Sequence, residues 1–230
     1  MKTPRPLEWN RVRAAILDLD GTMLDTAQDF RVAINCMRAE FGLPPLSLET
    51  IVQFVGKGSE NLIRRVLETD LDSAQVAQHF DTALASYQRH YARINGDHVH
   101  IYPGVEAGLQ ALRAQGLRLA CVTNKPLAFA LALLSQTGLR DYFEVVYGGD
   151  SLPTKKPEPG PLLQVCTDFD LMPAQVVAIG DSSNDALAAR AAGCYVLNVP
   201  YGYNHGQPIQ DVDSDGIVST LLDAAQLISA

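Results

Sequence analysis

Short apolar runs recur along this chain, each stopped by glycine, aspartate, threonine or proline. The first is Ala14-Ala15-Ile16-Leu17, which leads into Asp18-Leu19-Asp20-Gly21-Thr22. Comparable runs occupy 117–122, 145–147, 176–179 and 195–199. Runs this short and this uniformly apolar read as strands of a parallel sheet covered on both faces. Stretches of helical period lie between them at 105–114, 129–137, 161–168 and 185–192. Pro126 and Pro161 sit near helix starts, and Gly116, Gly138 and Gly193 near helix ends. Alternating strand and helix define an α/β class, a Rossmann-like parallel sheet with right-handed crossovers.

One stretch breaks the alternation. From about 26 to 100 no strand pattern occurs, and the apolar spacing predicts helices over 27–40, 48–55, 59–68 and 73–93. Pro44-Pro45 and Gly56-Lys57-Gly58 punctuate them. The expected organisation is therefore a core made of 1–25 and 101–230, with a helical domain, 26–100, inserted between its first strand and the rest.

Composition narrows the function classes. Hydrophobic residues make up 47% of the chain, and its formal net charge is -8. That balance leaves no broad positive surface for nucleic acid or an acidic membrane. A small anionic substrate stays compatible, because one metal ion and one lysine reverse the field inside a cleft. The four cysteines are scattered without a CxxC pair, and Cys121 and Cys194 fall inside apolar strand runs. They read as buried thiols, which fits a reducing compartment. The polar N-terminus has no signal-peptide stretch, and no run approaches the ~18 apolar residues of a membrane span. A cytoplasmic protein, monomeric or homodimeric, is expected.

The chemistry gathers at strand ends. Asp18 and Asp20 are two apart, and on an extended strand residues i and i+2 share a face. Burying two carboxylates so close is costly unless a cation joins them. The run at 176–179 likewise ends in Gly180-Asp181-Ser182-Ser183-Asn184-Asp185. Parallel strands that place aspartates at their carboxyl ends mark the crevice where α/β sheets bind ligands. Oxygen ligands with no His or Cys nearby in sequence favour Mg²⁺ over zinc. Thr123-Asn124-Lys125 after the run at 117–122 offers a hydroxyl and backbone N–H groups at a helix start, and Lys155-Lys156-Pro157 offers a cation. A carboxylate nucleophile, a second carboxylate, a metal site, a hydroxyl and a lysine are the parts that phosphoryl transfer requires.

These residues resemble a known family. Asp18-Leu19-Asp20-Gly21-Thr22-Met23-Leu24-Asp25 is similar to the first motif, DxDGTxxD, of the haloacid dehalogenase superfamily. Thr123, Lys156 and Gly180-Asp181-Ser182-Ser183-Asn184-Asp185 resemble its second, third and fourth motifs, in order across the core. The helical insertion resembles that superfamily's C1 cap. Within the superfamily, Val122-Thr123-Asn124-Lys125-Pro126, Gly148-Gly149-Asp150, Lys155-Lys156-Pro157 and Tyr201-Gly202-Tyr203-Asn204 are most like the phosphoglycolate phosphatases.

The resemblance implies Asp18 as nucleophile and metal ligand, and Asp20 as acid then base, its carbonyl also on the metal. It implies Thr123 and the Asn124 amide on the phosphate, with Thr22 beside them. Lys156 would neutralise the transferring group, Asp181 would ligate Mg²⁺, and Asp185 would orient that shell. From the cap, Gly56 and Lys57 would reach the substrate. Independently of the resemblance, Tyr87 and Tyr91 are four apart on a helix and read as packing residues. The activity implied is hydrolysis of a small phosphorylated metabolite, 2-phosphoglycolate foremost. The alternatives are a sugar phosphate such as N-acetylmuramic acid 6-phosphate, and a β-phosphoglucomutase-like transfer. A dehalogenase fits less well, because its chemistry needs no acid at Asp20, and a binding protein on a dead phosphatase fold would not keep every motif position.

Overall fold

The computed structural model describes residues 8–229. Its elements run β1 (Ala14–Leu17), β2 (Leu24–Asp25), α1 (Ala27–Glu40), α2 (Leu48–Val52), α3 (Ser59–Leu67), α4 (Ser73–Ile94), β3 (His100–Ile101), α5 (Val105–Ala114) and β4 (Arg118–Val122). After them come α6 (Leu127–Gln136), β5 (Val145–Tyr147), α7 (Gly160–Asp168), β6 (Val176–Gly180), α8 (Ser183–Ala192), β7 (Tyr195–Asn198), β8 (Gly216–Ile217) and α9 (Leu221–Ser229).

Six strands form a parallel sheet in the order β5-β4-β1-β6-β7-β8. Successive side chains on each strand face opposite layers, which explains why the runs are apolar at nearly every position, Arg118 and Asn198 standing at strand ends. Ala15 and Leu17 join Leu119, Cys121, Val177 and Ile179 in one core. Ala14 and Ile16 join Ala120, Val122, Val176 and Ala178 in the other. Helices α5, α6 and α9 cover the first layer, and α7 and α8 the second. Strand β1 is central, with β4 and β6 on either side, and the chain leaves it in both directions. Its carboxyl end is therefore the switch point at which such sheets bind ligands.

Helices α1 to α4 bury their apolar faces against one another, with Ile34, Met37, Ile63, Val66 and Tyr91 at the centre. Arg38 is fully buried there, donating to the Pro44 carbonyl at 2.7 Å and the Val66 carbonyl at 2.6 Å and pairing with Asp70. Tyr203, from the loop after β7, packs into this cluster from the sheet side. The two crossings between the helices and the sheet pair as a short antiparallel ladder, Leu24 with Ile101 and Asp25 with His100.

The sequence expectation fails at three places. Helix α2 stops at Val52 rather than Val55, because the chain turns to bring Gly56, at φ 109°, against the sheet end. The β2–β3 ladder spans too few residues to show a strand period. The segment after β7 carries β8 and α9, where the sequence pattern above predicts no element.

Candidate active site

Strands β1 and β6 pair with Leu17 opposite Ile179, so their carboxyl ends deliver Asp18 and Asp181 side by side. The first turn of α8 adds Asp185, whose Oδ2 accepts the Ser182 N–H at 3.2 Å in a capping box and the Ser182 hydroxyl at 2.7 Å. Carboxylate oxygens of Asp18, Asp181 and Asp185 lie within 4.8 Å of one another. Asp181 is held from both sides: Thr22 Oγ1 donates to Oδ1 at 2.7 Å, and the Tyr203 N–H donates to Oδ2 at 2.5 Å. Gly21, at φ 83°, makes this approach possible, since a Cβ there would stand 2.4 Å from Asp181 Oδ2.

Lys156 threads beneath the carboxylates. Its Nζ lies 2.9 Å from Asp18 Oδ1 and 2.7 Å from Asp185 Oδ1, and donates to the Val122 carbonyl at 2.7 Å. Asp18 Oδ1 also accepts the Leu19 N–H at 2.7 Å. Thr123 is buried just past β4. The Asn124 side-chain amide donates to the Gly56 carbonyl at 2.9 Å and the Lys156 carbonyl at 2.8 Å. Asn184 reaches the same Gly56 carbonyl at 3.1 Å. The α2–α3 loop is thus bonded to the sheet end from the turn after β4 and from the first turn of α8.

Asp20 has a different environment. Thr26 Oγ1 donates to its Oδ1 at 2.6 Å, and Lys125 Nζ donates to the same oxygen at 2.8 Å. The Lys125 ammonium also lies 4.5 Å from the Phe30 ring centroid and 4.7 Å from that of Tyr91. Cation–π attraction is strongest for such a desolvated ion.

Three carboxylates around one ammonium leave excess negative charge, and the proton affinities register it. Burial pushes the Asp18 carboxyl up to about 7, against the pull of Lys156, and Asp185 pushes the same way. Burial, then Asp185 and Asp18, hold Asp181 well above the usual carboxylate range. Burial alone would lower Lys156, but Asp18 and Asp185 outweigh it and move it up. A cluster of hard, buried oxygen donors short of positive charge fits a divalent cation of the Mg²⁺ type.

A cavity of about 30 Å³ opens beside Asp18 and Asp20. Thr123, Asn124 and Lys125 wall it from the sheet side, and Phe30, Gly56, Gly58, Leu62, Tyr87 and Tyr91 from the helices. Of the residues expected in the site, Asp18, Asp20, Thr123, Asn124 and Gly56 line this cavity, while Lys156, Asp181 and Asp185 lie around Asp18. Thr22 instead braces Asp181, and Lys57 is exposed on an outer surface shared with Lys155 and Pro157. Sequence reasoning missed Lys125, whose place right after the Thr123-Asn124 strand end was the available signal. It also missed Phe30, read Tyr91 only as a packing residue, and noted Tyr203 within Tyr201-Gly202-Tyr203-Asn204 without giving it a role.

With this geometry, residues 15–199 match the family model described as haloacid dehalogenase-like hydrolase, and the chain belongs to that family. Among its relatives, the phosphoglycolate phosphatase of Thiobacillus denitrificans is 47% identical over 218 residues, 95% of this chain and 96% of that protein. The phosphoglycolate phosphatase of Nitrosospira multiformis is 49% identical over 217 residues, 94% and 96% of the two chains. The crystal structure of a predicted phosphoglycolate phosphatase from Haemophilus somnus superposes with a TM-score of 0.90 at 32% identity, covering 94% of this chain and 98% of that one.

Proposed function

We propose that this hydrolase cleaves small phosphomonoesters, with 2-phosphoglycolate as its main substrate, through a phosphorylated Asp18. The observation that carries the chemistry is the disposition of the two aspartates. Asp18 Oδ1 is held by Lys156 and the Leu19 N–H, which leaves Oδ2 to attack. Both hydrogen bonds to Asp20 likewise fall on Oδ1, which leaves its Oδ2 to face the leaving oxygen.

In the first step Asp18 forms a bond to phosphorus as the ester P–O bond breaks, and Asp20 delivers a proton to the departing alkoxide. In the second, Asp20 takes a proton from water as that water attacks phosphorus, which releases phosphate and restores Asp18. Thr123 Oγ1 and the Asn124 backbone N–H are the donors for the phosphate oxygens, since the Asn124 side chain is occupied by two carbonyls. Lys156 offsets charge on the nucleophile. Asp18, Asp181 and the Asp20 carbonyl would hold Mg²⁺, with Asp185 fixing Lys156 beside them. When bound, Mg²⁺ supplies positive charge that neutralises Asp18 and the transferring group.

Cavity size and homology support the substrate. The cavity beside Asp18 and Asp20 is small, about 30 Å³, which is in keeping with a compact substrate. Residues 26–100 act as the cap in this reading, closing the site to water and selecting that group. The test is phosphate release from 2-phosphoglycolate, N-acetylmuramic acid 6-phosphate, glucose phosphates and pyrophosphate, each with Mg²⁺ and with EDTA. Preference for 2-phosphoglycolate that EDTA abolishes is the expected result. Preference for a sugar phosphate would overturn the substrate and retain the chemistry.

A further inference from the structure

Tyr91 is fully buried on α4, yet its hydroxyl has no hydrogen-bond partner. Three other buried side-chain atoms among the described residues share that condition, and all are amide carbonyl oxygens, of Asn61, Asn95 and Asn198. Tyr91 alone of the four brings an unused O–H. Packing does not account for it. The ring already meets Phe30 at 5.3 Å, Tyr87 at 5.5 Å and Phe129 at 5.1 Å, contacts that phenylalanine would make equally well. An O–H withdrawn from water and left unpaired costs free energy, so an unpaired donor beside a cleft points to a ligand.

Tyr91 lines the cavity that holds Asp18 and Asp20. The open acceptors on that wall, Oδ2 of Asp18 and of Asp20, serve the reaction in the reading above, and neither bonds the Tyr91 hydroxyl. Lys125 presents an ammonium 4.7 Å from the Tyr91 ring, and its negative partner, Asp20, is already bonded to Thr26 and to Lys125 itself. Gly58 and Ser59 also line it, at the start of α3, where no side chain caps the helix. A hydroxyl, an ammonium and uncapped helix N–H groups call for an anionic acceptor with more than one oxygen.

We propose that Tyr91 is a specificity-determining residue whose hydroxyl, with Lys125, binds a carboxylate on the leaving group, next to the carbon that carries the ester oxygen. This assignment rests on the phosphatase reading above and narrows its substrate class to phosphate esters of short 2-hydroxy acids. Burial and the nearby Asp20 charge hold the phenol's pKa well above its usual value, so it is a neutral donor across the working range.

The test compares 2-phosphoglycolate with ethyl phosphate, which has the same two-carbon skeleton and no carboxylate, in the wild type and in Tyr91→Phe. The wild type is expected to prefer 2-phosphoglycolate, and the ratio of the two kcat/KM values should fall about tenfold or more in the variant, chiefly through KM, as for one lost hydrogen bond to a charged acceptor. The ligand-free variant should melt at the wild-type temperature or above it, since it loses an unpaired buried hydroxyl. A wild type indifferent to the carboxylate would overturn both the substrate reading and this one. A wild type that prefers 2-phosphoglycolate, with a ratio unchanged in Tyr91→Phe, would overturn the role of Tyr91 alone. So would a lower melting temperature, which would show the hydroxyl to be paired within the protein.

Discussion

Lys125 and Asp20 form an ion pair, 2.8 Å from Nζ to Oδ1, between the sheet end and the aromatic floor of the helical bundle. Both side chains are nearly buried, at 2% and 10% exposure, so the pair is little screened by solvent. Removing one partner of such a pair leaves an uncompensated charge, typically at a cost of about 3–5 kcal/mol. Lys125→Met keeps a similar stem against Phe30 and Tyr91 and deletes only the charge. The expected outcome is a lower melting temperature and a fall in kcat/KM for 2-phosphoglycolate of roughly 10- to 100-fold, because Asp20 loses a group that orients it. Thermal melts and steady-state phosphate release check both. Wild-type values for the variant would show the pair to be incidental.

Asp18→Asn tests the nucleophile. The amide is close in shape and cannot form the acyl phosphate, so turnover should fall by about a thousandfold or more. The fold should persist, because the substitution also relieves repulsion with Asp185 while Lys156 keeps its bond to Asp185. Phosphate release and far-UV circular dichroism measured together decide it. Substantial turnover in a folded variant would exclude Asp18.

Much of this arrangement was legible in the sequence, for a physical reason. A strand buried on both faces must be apolar throughout, so Ala14 to Leu17 and Val176 to Gly180 stand out, and Asp18 and Asp181 stand out against them. The spacing could not show what side chains do across long loops. Asn124 reads as a phosphate ligand, yet its side-chain amide is engaged by Gly56, 68 positions away, which leaves only its backbone N–H for that role. Thr22 lies in the first motif but serves Asp181, 159 positions on. Tyr91 has the helical spacing of a core residue and is one, and only its unpaired hydroxyl sets it apart. Strands β2 and β3 are two residues each and exist because they pair with each other.

The carboxylate cluster predicts a coupled dependence on pH and metal. Asp18 is raised from 3.8 to about 7, and Asp181 is raised as well. Between about pH 4 and 7 the metal-free folded state therefore binds more protons than the unfolded chain. Asp18 makes stability fall as pH rises through that window and level off above it, and Asp181 acts in the same direction. A cation binds the deprotonated cluster and releases those protons. The rise in melting temperature on adding MgCl₂ should thus be larger at about pH 8 than at about pH 5.5. An equal rise at both values would place the metal elsewhere.

Tyr203 joins Asp181 to the first crossing into the helical bundle. Its backbone N–H donates to Asp181, while its hydroxyl donates to Asp25 at 2.5 Å and accepts the N–H groups of Thr26 at 3.0 Å and Ala27 at 3.1 Å. Tyr203→Phe removes the hydroxyl and spares the backbone contact. The Ala27 N–H keeps Asp25 as an acceptor at 3.2 Å, but the buried Thr26 N–H loses its partner. One unsatisfied buried donor costs about 1–3 kcal/mol, and each kcal/mol shifts the melting temperature of a chain this long by about 2–4 °C. The variant should therefore melt roughly 2–12 °C lower, while the added stability from MgCl₂ stays close to wild type because Asp181 keeps both its donors. Weakened stabilisation by MgCl₂ would instead mean that the crossing governs how Asp181 is placed, and would make Tyr203 part of the metal site.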